Sequence, residues 1–105
     1  MMPKYKTVGD LFEKTPRQWG LRGDPHLWSA MRDRFANTPI PAIASDLETL
    51  IEQAFEELTG KPISTPDLFY DERFAHGGMS SGCISPPFWR DTAIPMLKAR
   101  LTEET

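Results

Sequence analysis

Residues 45–60 read SDLETLIEQAFEELTG. Leu47, Leu50, Ile51, Ala54, Phe55 and Leu58 recur at the three- and four-residue spacing that puts side chains on one face of an α-helix. Asp46, Glu48, Glu52, Glu56 and Glu57 fall between them and belong on the wet face. Ser45 followed by Glu48 fits a capping box, in which each side chain accepts a free amide of the first turn. Gly60 and then Pro62 end the pattern, because glycine takes the left-handed turn after a helix and proline cannot continue it. One apolar stripe needs partners, and the rest of the chain must supply them.

Working toward the N-terminus, Thr38-Pro39-Ile40-Pro41 cannot lie inside a helix and reads as an extended connector. Before it, Asp24-Pro25 is a cap-and-proline start. The helix it opens is expected to run to about Asn37, burying Leu27, Trp28, Met31 and Phe35. Thr15-Pro16 carries the same signal for one turn through Gln18 and Trp19, stopping at Gly20. Thr7 caps a short first helix with Val8, Leu11 and Phe12 at helical spacing.

Toward the C-terminus, Leu68-Phe69-Tyr70 forms a short aromatic run, with Cys83-Ile84 as its partner across a loop from Ala75 to Gly82. Ser85-Pro86 opens the last helix, which buries Phe88, Trp89, Ile94, Leu97 and Leu101. Pro95 lies inside that helix and calls for a kink or a restart. The fold class that follows is mainly α, with about four helices. A two-stranded hairpin around residues 67–85 would add a β component and make it α+β.

The chain has 105 residues, enough for one domain spanning 1–105 with frayed termini. Ten prolines are about twice the usual share, but three tryptophans and six phenylalanines argue against disorder. Most of those prolines stand at helix starts and connectors. No apolar run reaches the 18 or so residues of a membrane span, and residues 1–14 lack the apolar core of a signal peptide. A cytoplasmic location without membrane attachment is therefore expected. Net charge is -3 with a pI near 5.3, which disfavours nucleic acid as a partner. The charge is segregated. Residues 1–35 carry seven Lys/Arg against four Asp/Glu, residues 36–72 one against eight, and residues 73–105 four against three.

Several chemical motifs fail on inspection. Cys83 is the sole cysteine, so no intrachain disulfide or multi-cysteine zinc site exists. His26, His76 and Cys83 have no metal-ligand spacing, and neither a metal nor a cofactor is expected. Gly78-Met79-Ser80-Ser81-Gly82 matches a nucleophile elbow, but no histidine follows Ser80 and the chain is too short for a hydrolase sheet. Gly77 to Gly82 has P-loop glycine spacing without the Lys-Ser/Thr pair. Arg22-Gly23-Asp24 spells an integrin tripeptide, which Asp24 as a helix cap explains better.

What stands out is Arg73 to Arg90, RFAHGGMSSGCISPPFWR, a small-residue loop between two arginines. The eight-residue loop inside it, Ala75 to Gly82, is long enough in a small domain to suggest use. The leading expectation is a non-enzymatic module that binds a partner protein with Arg73, His76, Gly77, Gly78, Ser80, Ser81, Gly82, Trp89 and Arg90. A second is a small-anion site on the outward amides of Gly77–Ser85 and the helix start at Ser85. A third, weaker one is a small enzyme pairing His76 with Cys83 or Ser80. No catalytic residue is assigned.

Overall fold

The computed structural model describes residues 5–13, 15, 16, 19–21, 23–75 and 82–103. Helix α1 spans Val8–Leu11, α2 Asp24–Arg34 and α3 Ala44–Thr59. Strands β1 (Phe69–Tyr70) and β2 (Cys83–Ile84) pair antiparallel, with a 3-10 turn at Glu72–Phe74 between them. Helix α4 (Pro86–Phe88), a π turn (Trp89–Ala93) and α5 (Ile94–Glu103) follow as one helical stretch. The protein is mainly helical, with four helices among the described residues when that stretch is counted once, and a small two-stranded sheet.

The local signals mostly do what their chemistry implies. Thr7 and Asp10 form a complete capping box on α1. The Asp10 carboxylate accepts the amides of Thr7 and Lys6 at 3.0 and 2.9 Å, and these hold its carboxyl below the usual range. Thr7 also bridges Pro39 in the extended connector, and the Val8 and Gly9 amides donate to Thr38 and Phe35. That ties α1 to the end of α2. Gly60 closes α3 in the left-handed conformation, with φ at 78° and its amide on the Glu56 carbonyl at 2.8 Å. The acids of α3 line its wet face as expected, where Glu57 meets Arg34 and Glu48 lies 3.7 Å from Lys98.

Four local readings are corrected. Helix α3 begins two residues early, at Ala44 with Ile43 as its cap, so Ser45 sits inside its first turn and makes no capping box. Helix α2 is capped by Gly23, not Asp24, and ends at Arg34 because residues 35–37 unwind into turns. Thr15, Pro16, Trp19 and Gly20 are not helical; residues 17 and 18 lie outside the described set. Leu68 stays outside the strand and is exposed.

Pro95 explains the π turn. Proline has no amide to donate, so the ladder must skip a bond near it. The skip is taken one residue earlier, where the Ile94 amide bonds the Trp89 carbonyl five residues back. The restart expected from the sequence is this register change.

The core joins the helices through aromatic rings. Trp28 is central, with ring centroids 4.8 Å from Phe12, 5.6 Å from Trp19 and 6.0 Å from Trp89. Its indole N–H donates to the Phe12 carbonyl at 2.5 Å. Trp19 packs against Trp28 and Phe88 and serves as a lid on the core. From Trp89 the contacts continue to Phe55 at 6.0 Å and from Phe55 to Phe69 at 6.3 Å. The short sheet is thereby anchored to α3.

Candidate binding surface

The hairpin is positioned from both sides. On its inner side, the Cys83 carbonyl accepts the Gly23 amide at 2.8 Å, which closes the outer edge of β2 against the start of α2. Gly23 has no room for a side chain. A Cβ there would come within 2.6 Å of the Cys83 oxygen and 2.8 Å of the Gly82 carbonyl carbon. Gly23→Ala is therefore expected to cost about 1–3 kcal/mol in urea unfolding, because backbone and not a movable side chain is in the way. An unchanged midpoint would show that the hairpin can drift off α2 freely.

Asp24 completes that joint. It is fully buried, and no described cation contributes to its titration. One carboxylate oxygen accepts the Leu21 amide at 2.6 Å. The other accepts the Ser85 amide at 3.2 Å and the Trp89 indole N–H at 3.1 Å. Burial pushes its pKa up to about 6, against the opposing pull of these three donors. Asp24 thus fastens the turn before α2 to the first turn of the C-terminal helical stretch.

The residues expected to bind a partner separate into distinct roles. Trp89 is core, as the apolar face of the last helix implies, with a relative exposure of 0% and its indole bonded to Asp24, so it is not a surface contact. Arg90 is corrected. It is half-buried, and its guanidinium donates to the Ile63 and Thr65 carbonyls at 2.9 and 3.0 Å, stapling the 63–65 loop to the π turn. Gly82 is buried, its carbonyl accepts the Asp71 amide, and a Cβ would lie 2.6 Å from the Asp71 oxygen. Its role is close backbone approach. His76, Gly77, Gly78, Ser80 and Ser81 lie outside the described residues. Cys83 is half-buried in β2. Among the described residues no group of three or more His, Cys, Asp or Glu is placed to hold a metal.

Arg73 does reach the surface. Its guanidinium grips Asp71 through two hydrogen bonds of 2.9 and 2.6 Å. Burial pushes the Asp71 carboxyl up, but the Arg73 side-chain and backbone bonds outweigh it and hold the group below its ordinary range. The small-anion site fares worse at its described end. The Ser85 amide is already occupied by the Asp24 carboxylate, and α4 runs only from Pro86 to Phe88 before the π turn.

The open surface lies one strand over. A cleft of about 400 Å³ is lined by Thr59, Lys61, Phe69, Tyr70, Asp71, Glu72 and Arg73. Beside it stand Leu68, 58% exposed, and Tyr70, 51% exposed, two of the three large apolar side chains left in solvent among the described residues. Sequence reading missed Lys61, Leu68 and Tyr70. Strand alternation carried the signal for Tyr70: with Phe69 turned inward on Phe55, its strand neighbour must face the other way.

No helix among the described residues is long and apolar enough to cross a membrane. Comparison with protein-family models, with curated proteins and with solved structures finds no match to this chain.

Proposed function

We propose that this chain is a non-enzymatic interaction module that binds a partner protein through the surface of β1, with Leu68, Tyr70 and Arg73 as its contacts. The observation that carries this reading is the pair of exposed apolar side chains, Leu68 and Tyr70, flanking an open cleft beside an arginine. Aromatic and arginine side chains are the types that dominate binding energy at protein interfaces. The proposed binding surface thus meets the Arg73–Arg90 region only at Arg73, while Trp89 and Arg90 act as internal supports. A cytoplasmic setting belongs to the same proposal, since Cys83 is free and the chain uses no disulfide.

The test is capture from the native cell with the wild-type chain and with the double variant L68S/Y70S, followed by reconstitution with the purified partner. Both substitutions are on exposed side chains, so the fold is expected to survive with a stability change within about 0.5 kcal/mol. A reconstituted partner should bind the variant at least tenfold more weakly. Equal binding would move the interface elsewhere and defeat the proposal.

A further inference from the structure

We infer that the outer edge of β1 receives an extended, acidic-and-apolar peptide segment of a partner protein as an added strand, an inference that rests on the interaction-module reading. The register fixes which backbone groups are free to do this. Tyr70 pairs with Cys83, and the flanking Asp71 amide donates to the Gly82 carbonyl at 2.8 Å. In an antiparallel ladder, residues that flank such a bond alternate, so the Tyr70 amide and carbonyl point away from β2. Tyr70 itself lines the cleft. The opposite edge of the sheet is closed, because Gly23 occupies the Cys83 carbonyl.

A free edge flanked by exposed apolar side chains is the arrangement that accepts a further strand. The added segment would take the Tyr70 backbone bonds and lay apolar side chains over Leu68 and Tyr70. The cleft carries two cations and two acids, Lys61 and Arg73 with Asp71 and Glu72, so charge does not set the whole segment but it does place one acid at Lys61. The Lys61 ammonium stands 5.6 Å from the Phe69 ring centroid and has no carboxylate within ion-pair distance among the described residues. Arg73, by contrast, is already neutralised by Asp71. An acidic residue on the incoming segment would complete the Lys61 end of the cleft.

The experiment selects binders from a phage-displayed library of nine-residue peptides on the full chain, then measures a synthetic selected peptide by fluorescence anisotropy. Selected sequences should alternate apolar residues and carry an acid, and Lys61→Glu should weaken them at least fivefold. Tyr70→Ala and Tyr70→Pro both remove the ring, but only proline removes the outward amide. Proline is tolerated at an edge position whose amide is unused, so Tyr70→Pro should bind at least tenfold more weakly than Tyr70→Ala. Should Tyr70→Pro fail to fold, N-methylation along the peptide provides the same readout. Losses at every second residue support strand addition. A flat methylation profile, equal affinity of the two Tyr70 variants, or no selected binder at all would overturn it. So would a dimer of the chain that Tyr70→Pro abolishes, which assigns the edge to a second copy. None of these results alters the L68S/Y70S outcome with a folded partner, so the two readings fail separately.

Discussion

Asp24→Ala is expected to lower stability by about 3–5 kcal/mol at pH 7, which urea unfolding followed by tryptophan fluorescence would measure. The substitution removes the acceptor for three buried donors, the Leu21 and Ser85 amides and the Trp89 indole. Each donor left unsatisfied costs about 1–3 kcal/mol, and relief of the carboxylate's own desolvation returns part of that. Asp24→Asn should cost less, because its carbonyl keeps Ser85 and Trp89 while its amide opposes the Leu21 N–H. The pH dependence has a definite sign. The folded carboxyl titrates at about 6 and the unfolded one near 3.8, so the folded state binds the proton first as pH falls. Wild-type stability relative to Asp24→Asn should therefore rise between pH 6 and 4, by about 3 kcal/mol in full. Above pH 6 the gain is absent. A difference between the two proteins that stays flat from pH 7 to 4 would show that Asp24 is not buried as an ion.

The parts of this fold that can be read from sequence are those whose causes are local. The stripe of α3, the Thr7 cap, the Ser85 cap and the glycine stop at Gly60 all depend on residues within a turn or two. The two-residue slip from Ser45 to Ile43 as the cap is the ordinary uncertainty of a helix end. Asp24 was legible only as a cap, because the donors that give it its role lie 61 and 65 residues away. The same carboxylate accepts the Leu21 amide three residues before it, and Trp19 and Gly20, where the Thr15-Pro16 signal calls for a turn of helix, are not helical. Trp89 and Arg90 are adjacent in sequence, and the local pattern offers Trp89 both to the core and to a partner. The π turn directs one into the aromatic core and the other onto the 63–65 carbonyls. For the candidate surface, arginine at position 73 was readable, whereas the cleft beside it depends on Lys61 from the end of α3 meeting β1. No local pattern encodes that meeting.

Trp28→Ala is the second large effect, with an expected loss of about 3–5 kcal/mol, the range for removing a large buried aromatic. Total stabilities of small domains are about 5–15 kcal/mol, so this variant should lie close to unfolding at physiological temperature. Trp28 holds three parts of the protein together. Its ring meets Phe12 after α1 and Trp89 in the π turn, and its N–H caps the Phe12 carbonyl. The Arg100 guanidinium of α5 stands 5.9 Å from its centroid and donates to the Leu11 carbonyl at 2.6 Å. Trp28→Phe keeps much of the ring contact but removes the indole donor, and about 1–2 kcal/mol should go with it. The informative measurement is the double variant with Asp24→Ala. Both residues contact Trp89, one through its ring and the other through its N–H. Once either is lost Trp89 is partly released, so the second loss should cost less than it does alone. The combined destabilisation should fall short of additivity by about 1 kcal/mol or more, within the range seen for sites sharing a partner. Strict additivity would mean that Trp89 stays fixed by Phe55 and Phe88 alone, and that the joint between α2 and the C-terminal stretch is two independent contacts.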